Sequence, residues 1–299
     1  MEYTNKSTLP IICPYKPKMT PQDLGGLALQ LRRDVIELTW FSGTESSHVG
    51  GELSLADIMA VLYGKILKLD PENPEWEDRD RLILSKGHAS AITYAAMAWR
   101  GFFDRARLWN EFNRVDGKLE EHANMELEGI EAPTGSLGMG LSNGCGMAWC
   151  AKLKSKGRSP SHRVFVILSD GECTEGQTWE AAMLAGHLKL DNLIAVVDYN
   201  QFIISGRTRD VLDLEPFSEK WRSFGWDVQT VNGHDLAELV EALETAREPT
   251  RAVGKPRIVI ADTVKGYPIS FMMADAVNWH AGHLDEGQYR RALEELGHE

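Results

Sequence analysis

Two apolar segments of the chain are each followed directly by polar residues that could bind a metal ion. Asp170 and Gly171 come after Val164–Leu168, and Asn200 comes after Leu193–Asp198. Ligands of open α/β sheets bind beyond the carboxyl ends of the strands, so we expect Asp170 and Asn200 to lie close together. A carboxylate and an amide oxygen suit Mg²⁺, which commonly takes phosphate oxygens as further ligands. Because Gly171 lets a backbone come close, these residues predict a site for Mg²⁺ and a diphosphate.

Four histidines lie in segments that we expect to surround one cleft. His48 lies in Ser-Ser-His-Val-Gly-Gly, His88 in Ser-Lys-Gly-His-Ala and His122 in Glu-Glu-His-Ala-Asn, while His280 follows the last predicted strand. A single loop histidine is usually just solvated. Imidazole can, however, donate to a phosphate or carbonyl oxygen and exchange protons near neutral pH. As a group, these histidines favour a binding cleft.

The glycine-rich run from Thr134 to Gly144 opens a predicted helix. Its amides could face a diphosphate at the helix N-terminus. The run lacks the third glycine of the dinucleotide fingerprint, and no core strand directly precedes it. Close packing of the helix on a neighbour therefore remains an equal alternative. Glu175 begins the helix after the Mg²⁺ site, where its carboxylate either faces the cleft or a partner or interacts with the helix dipole.

Composition limits the classes of partner. The chain has 299 residues, 43% of them hydrophobic, and a net charge of −12, which argues against a nucleic-acid or anionic-membrane surface. An anionic cofactor must then be held by local groups. No apolar run approaches the roughly 18 residues of a membrane span. The four cysteines form no C-x-x-C pair, which indicates a reducing cytoplasm.

Alternation of strands and helices predicts an α/β fold with a doubly wound, mostly parallel sheet and helices on both faces. Residues 1–19 read as an irregular N-terminal arm, and residues 20–299 as a single domain. A loop is predicted over Ser42–Glu52, and a closely packed helix over Gly138–Lys154.

The chain resembles the thiamine-diphosphate-binding N-terminal domain of transketolases from about Gly43 to His280. The resemblance rests on motifs in the family's order: Ser46–Gly51, Leu84–Ala89, Thr134–Gly138, Ser169–Gly176 with Asn200, and Asn278–His280. It implies the thiamine-diphosphate-binding fold, with thiamine diphosphate and Mg²⁺ as cofactors.

The resemblance also implies roles for individual residues. The Mg²⁺ ligands would be Asp170, Asn200 and the main-chain carbonyl of Phe202. The remaining cofactor contacts would come from His88, Gly135, Ser136, Leu137, Gly171 and His280, with the two histidines on the diphosphate. His48 and His122 would exchange protons with the substrate, His280 would complete the catalytic histidines, and Glu175 would join a network across a subunit interface.

The chain departs from the family pattern in three motifs. Ser169 stands where the family usually has glycine, a change that a strand end tolerates. Ser-His-Val at Ser47 and Glu-His-Ala at Glu121 stand where the family usually has Gly-His-Pro. These two departures bear on sugar specificity more than on the cofactor.

A complete transketolase is roughly twice this length, because a pyrimidine-binding domain and a C-terminal domain follow. The resemblance therefore implies a split enzyme, in which a separate polypeptide supplies those domains within an α2β2 heterotetramer. The assembly would transfer a two-carbon ketol unit from a ketose or ketose phosphate to an aldose. No nucleic-acid or membrane partner is expected.

Three other functions stay open at this point. The chain could be the α-subunit of a 2-oxo acid dehydrogenase-like enzyme, since such chains also divide the two domains. It could serve a 1-deoxyxylulose-phosphate-synthase-like reaction, or it could be a non-catalytic, cofactor-binding remnant. The intact Mg²⁺ motif and the four histidines argue against the remnant.

Overall fold

A computed structural model describes residues 19–42 and 47–297. Of the predicted N-terminal arm, only Met19 lies inside these ranges. The beginning of the family resemblance, including Ser46, also lies outside the described residues.

Parallel strands form the centre of the molecule. The strands are β1 (Arg81–Leu84), β2 (Val164–Ser169), β3 (Leu193–Tyr199), β4 (Phe202–Ile203), β5 (Gly206–Arg207), β6 (Asp227–Asn232) and β7 (Arg257–Asp262). Five of them make one sheet in the order β1-β2-β3-β7-β6, with every neighbouring pair parallel. β4 and β5 form a separate antiparallel hairpin directly after β3.

Helices occupy most of the connections between the strands. They are α1 (Pro21–Phe41), α2 (Val49–Leu53), α3 (Ala56–Val61), α4 (Ser90–Arg100), α5 (Arg107–Glu111), α6 (Met139–Lys154), α7 (Gly176–His187), α8 (Thr208–Val211), α9 (Phe217–Ser223), α10 (Leu236–Arg247), α11 (Ser270–Ala274) and α12 (Glu286–Glu295). A π-helical turn, Leu62–Ile66, extends α3, and 3₁₀ turns cover Gly171–Thr174 and Asn278–His280. Among the described residues, no helix combines the length and hydrophobicity that a membrane span requires.

Two hydrophobic cores lie on opposite faces of the sheet, because strand residues alternate between the faces. Phe165 and Ile167 of β2 belong to the core formed with α1, α3, α4 and α10. Val164 and Val166 of the same strand belong to the core formed with α6, α7 and α9. The predicted α/β fold, with a parallel sheet and helices on both faces, is confirmed.

The predicted loop over Ser42–Glu52 is wrong in its second half, where α2 begins at Val49. Two adjacent glycines favoured a loop, since glycine is a poor helix former. Tertiary packing overrides that preference: a Cβ built on Gly50 would lie 2.4 Å from the carbonyl oxygen of Trp279. Only glycine permits this approach, so the close packing of α2 on Trp279 requires a residue whose own preference is against a helix.

The same substitution at two glycines of α6 is expected to have opposite effects. A Cβ on Gly144 would lie 2.5 Å from Cγ2 of Val166 in β2, whereas no described atom comes within 4 Å of a Cβ on Gly146. Gly144→Ala should therefore lower the free energy of unfolding by about 1–3 kcal/mol through overpacking. Gly146→Ala should raise it by about 0.5–1 kcal/mol through helix propensity. Urea denaturation measures both changes, and equal responses would contradict the close packing of α6 on the sheet.

Candidate functional site

A cavity of about 350 Å³ lies at the carboxyl ends of β2 and β3. Ten of the residues singled out in the sequence line it: His48, His88, His122, Gly135, Leu137, Gly171, Glu175, Asn200, Phe202 and His280. The other two do not. Asp170 is wholly buried beneath the lining, and Ser136 is exposed outside it. The structure thus gathers segments that are up to 232 positions apart, from His48 to His280, around one space.

Asp170 is a buried carboxylate without the partners that such a group normally has. It is 0% exposed, and neither of its carboxylate oxygens makes a hydrogen bond of normal geometry within the described part of the chain, although the Gly171 amide and the Thr208 hydroxyl lie near it. Burial, together with nearby Asp198, raises the pKa of Asp170 to about 7, although the Gly171 amide and Lys86 oppose the rise. Buried polar groups are almost always satisfied, so a bare carboxylate at this position fits a bound cation.

Two further oxygen atoms lie at the same strand ends as Asp170. The side-chain amide of Asn200 donates to Oδ2 of Asp198 at 2.9 Å, and its Oδ1 accepts from the Phe202 amide at 3.1 Å. A Cβ built on Gly171 would lie 3.2 Å from the Phe202 carbonyl oxygen, which places that oxygen at the same strand ends. Within the described ranges, no cluster of three or more His, Cys, Asp or Glu side chains could hold a metal ion. A carboxylate, an amide oxygen and a carbonyl fit Mg²⁺ completed by phosphate oxygens.

A buried ion pair between Lys86 and Asp198 supports this arrangement through Asn200. Lys86 Nζ lies 2.6 Å from Oδ2 of Asp198 and donates to the Gly51 carbonyl at 2.9 Å. The Ser54 hydroxyl donates to Asp198 at 2.8 Å, and the Thr263 hydroxyl donates to its other oxygen. Burial by itself would raise the pKa of Asp198, but Lys86 and these hydrogen bonds bring it below its ordinary value. Sequence reasoning missed this pair, although Lys86 and Asp198 adjoin His88 and Asn200.

The four histidines form one group on the cavity wall. The ring centroid of His48 is 5.0 Å from that of His88, 5.4 Å from that of His280 and 6.1 Å from that of His122. Burial and the charge of Lys86 hold the pKa of His88 well below its usual range. Burial and neighbouring Lys265 lower the pKa of His280 to about 3. At neutral pH these two rings are neutral, so each can donate one hydrogen bond and accept another.

Lys265 is a second functional residue that sequence reasoning missed. It lines the cavity, is 3% exposed, and its Nζ lies 2.8 Å from Nδ1 of His280. Burial and the charge of Lys86 lower the pKa of Lys265 to about 8. In a chain with a net charge of −12, this ammonium brings local positive charge to the cavity. In the sequence, its position three residues after the end of β7 could have indicated that it lies near the cavity.

Glu172 explains what the glycine-rich run does. Its Oε1 accepts from the Ser85 hydroxyl at 2.5 Å and from the Gly138 amide at 2.8 Å, and the residue is 0% exposed. Burial raises the pKa of its carboxyl group. The Gly138 amide at the start of α6 is therefore already occupied. A Cβ on Gly140 would lie 2.4 Å from the Ser85 hydroxyl oxygen, so this part of the run serves close packing, and Gly135 reaches the cavity.

The cavity is open to solvent on the side of Glu175. Both Glu175 and His122 line it and are nevertheless exposed. Glu175 also precedes the first residue of α7. Exposed residues that line a cavity mark the edge over which a ligand or another chain can approach.

Comparison with known proteins bears directly on this site. Residues 33–299 match the family "Transketolase, thiamine diphosphate binding domain". The chain belongs to this transketolase family. It is 43% identical over 250 residues to the "6-deoxy-6-sulfo-D-fructose transketolase subunit SqwG" of Clostridium sp. (strain MSTE9), covering 83% of this chain and 88% of that one. It is 34% identical over 265 residues to an apulose-4-phosphate transketolase subunit of Phocaeicola vulgatus, covering 89% and 90%.

Solved transketolases have the same fold as this chain. The transketolase of Campylobacter jejuni matches with a TM-score of 0.82 and 31% identity, over 93% of this chain. The match covers only 43% of that transketolase. The predicted membership of the transketolase family and the predicted transketolase-type fold are confirmed. The match with this chain thus spans most of the length of the relatives named as subunits, but less than half of the Campylobacter jejuni transketolase.

Proposed function

We propose that this chain is the cofactor-binding subunit of a split transketolase, which transfers a two-carbon ketol unit from a ketose to an aldose. A separate polypeptide would supply the pyrimidine-binding and C-terminal domains. One observation carries the proposal: relatives named as transketolase subunits are covered over 88% and 90% of their length, against 43% of a full-length transketolase. The bare carboxylate and the cluster of histidines at the strand ends support a retained cofactor site.

The buried part of the cavity would hold the metal and the diphosphate. Asp170, Asn200 and the Phe202 carbonyl would hold Mg²⁺, an ion that commonly takes phosphate oxygens as further ligands. Gly171 lies against the diphosphate because it has no side chain. His88 and His280 donate hydrogen bonds to the diphosphate. Gly135, Ser136 and Leu137 run beside the rings of the cofactor.

The open part of the cavity would hold the substrate. When bound, thiamine diphosphate would supply the carbanion chemistry of the transfer. His48 and His122 exchange protons with the hydroxyl and carbonyl oxygens of the sugar, which is general acid–base catalysis. His280 lies next to His48 and completes the group of catalytic histidines. Glu175 extends from the rim toward the second polypeptide and takes part in a network across that interface.

The donor is a ketose that carries an anionic group, either a phosphate or a sulfonate. The names of the two relatives described above include one group of each kind. Because the chain is more similar to the sulfofructose relative, 43% against 34%, a sulfonated ketose is the first donor to test.

The assembly has two further proposed features. Residues 20–299 form one cofactor-binding domain, preceded by the arm at residues 1–19. Two copies of this chain and two of its partner make an α2β2 heterotetramer in the cytoplasm. Sedimentation analysis of the co-expressed chains measures the stoichiometry.

Co-expression with a candidate partner, sought first among the genes next to this one, tests the function. The purified complex should bind thiamine diphosphate only with Mg²⁺, as measured by calorimetry. It should also convert a phosphorylated or sulfonated ketose and an aldose acceptor into a product pair that differs by two carbons. The chain alone should show no turnover, because the partner completes the site.

Other outcomes would favour the other functions. Decarboxylation of a 2-oxo acid without ketose turnover would support the dehydrogenase-like function, and condensation of a 2-oxo acid with an aldehyde phosphate would support the synthase-like one. A complex that binds no thiamine diphosphate would identify a remnant and refute the proposal.

A further inference from the structure

Glu121 makes a close contact with one histidine of the cavity. Its Oε1 lies 2.5 Å from Nδ1 of His48 and also accepts from the His48 main-chain amide at 3.2 Å. Its other oxygen accepts from the Asn113 side-chain amide at 2.8 Å. The two residues are 73 positions apart, and both side chains are about one-fifth exposed. A carboxylate only accepts hydrogen bonds, so Nδ1 of His48 must carry the proton.

His280 has the opposite kind of partner. Its Nδ1 lies 2.8 Å from the Lys265 ammonium, which only donates hydrogen bonds. Nδ1 of His280 must therefore be the acceptor. In a neutral imidazole the proton then resides on the other nitrogen, Nε2.

We infer that Glu121 and Lys265 hold two neighbouring histidines in opposite tautomers: in its neutral form, His48 has an unprotonated Nε2, whereas His280 has a protonated Nε2. The ring centroids are 5.4 Å apart and both residues line the cavity. His48 is then the proton acceptor of the site, and His280 is a donor. Glu121 and Lys265 act through the histidines, so with respect to proton transfer they are positioning residues.

This inference rests on the proposed function and deepens it. A ketose must lose a hydroxyl proton when its carbon–carbon bond breaks, and an unprotonated Nε2 of His48 can take that proton. A protonated Nε2 of His280 donates to an anionic or carbonyl oxygen. A carboxylate that fixes the tautomer of a histidine and orients its ring follows the same logic as the partners of metal-bound and catalytic histidines.

The carboxylate stands where the family pattern has glycine. Glu-His-Ala at Glu121 replaces the usual Gly-His-Pro, and a glycine there could supply no side-chain acceptor. This chain has therefore added a partner to His48 that its family pattern does not supply. Sequence reasoning recognised the departure but not its contact.

Nitrogen NMR of the histidine side chains in the isolated chain tests the tautomers without any turnover. His48 and His280 are assigned by loss of their signals in His48→Asn and His280→Asn. The wild-type chain should show the proton on Nδ1 of His48 and on Nε2 of His280. Glu121→Ala should give a mixture of tautomers at His48, and Lys265→Met should give a mixture at His280. The reverse assignment in the wild type would overturn the inference even if every variant failed to fold.

Kinetics of the assembled complex give a second, independent test. Glu121→Ala should lower kcat about tenfold or more, as loss of an orienting partner commonly does, with the affinity for thiamine diphosphate nearly unchanged. Glu121→Gln keeps an acceptor oxygen and should recover most of kcat. The matched control is Glu120→Ala, because Glu120 is the exposed neighbour.

The outcomes separate the inference from the proposed function. If Glu121→Ala keeps both the wild-type tautomer and the kcat of Glu120→Ala, the inference fails while the function stands. If the wild-type complex transfers no ketol unit, the function fails, and the NMR result still decides the tautomers.

Discussion

Asp170→Asn is expected to abolish Mg²⁺-dependent binding of thiamine diphosphate and, at the same time, to stabilise the metal-free chain. Loss of a direct metal ligand should weaken cofactor binding by at least about 100-fold. Removal of a residue that only hydrogen-bonds to a metal ligand already lowers metal affinity by about 10–100-fold. The stabilisation follows because Asp170 is wholly buried with both carboxylate oxygens unpaired among the described residues. Asparagine has nearly the same shape and cannot ionise.

The sign of the pH dependence follows from the pKa of Asp170. Its folded pKa of about 7 lies above the ordinary value of 3.8. Between these two pH values the folded chain binds more protons than the unfolded chain, so stability falls as pH rises and levels off above pH 7. The rise in pKa corresponds to a loss of about 4 kcal/mol in the free energy of unfolding above pH 7. The side-chain amide of asparagine, buried at the same position without partners, would itself cost about 1–3 kcal/mol. Asp170→Asn should therefore gain about 1–3 kcal/mol above pH 7 and lose this pH dependence.

Two measurements check this prediction. Urea denaturation of the metal-free chain at pH 5 and pH 8 gives the change in the free energy of unfolding with pH for wild type and variant. Calorimetry of the complex measures cofactor binding. Asp262→Asn is the control, because Asp262 is exposed at the end of β7. Wild-type affinity for thiamine diphosphate in Asp170→Asn would refute the assignment of the metal ligand.

Asp198→Asn is expected to be among the most destabilising single changes in the chain. Lys86 is 1% exposed, and its ammonium would lose the carboxylate 2.6 Å away. Removing one partner of a buried ion pair commonly costs about 3–5 kcal/mol, because the other charge stays buried and uncompensated. Cofactor binding should weaken as well, since Asp198 accepts the hydrogen bond that orients Asn200.

A double variant separates these two effects. Lys86→Met combined with Asp198→Asn leaves no buried charge at the pair, so most of the lost stability should return. Cofactor binding should not return, because the site has lost both the ammonium and the carboxylate. Urea denaturation and calorimetry measure the two quantities, with Asp262→Asn again as control. If Asp198→Asn costs no more stability than Asp262→Asn, the pair does not support the site as described.

The periodicity of apolar residues was sufficient to predict most of the fold. The apolar segments Val164–Leu168 and Leu193–Asp198 lie within β2 and β3, each of which extends one residue beyond its segment. Buried parallel strands are continuous apolar runs, which makes them recognisable without a structure. The helix α2 was missed because its glycines are poor helix formers, and the contact of Gly50 with Trp279 is not visible in local sequence.

The candidate site shows the same division between local and distant information. Asp170, Asn200 and the histidines were found because each lies in a short motif with its own chemistry. The contacts of Lys265, Glu172 and Glu121 were missed, because charged residues are mostly solvated at the surface and local sequence does not show which distant group they face.

The sequence by itself determined the fold class and the family, and it identified the residues that we propose bind Mg²⁺ and a diphosphate. These properties depend on residue type, on short spacings and on order along the chain. Only the tertiary structure decided which charges face one another: Lys86 with Asp198, Lys265 with His280 and Glu121 with His48. A hydrogen bond or an ion pair depends on distances of a few ångströms between atoms, and here those atoms belong to residues 15 to 112 positions apart.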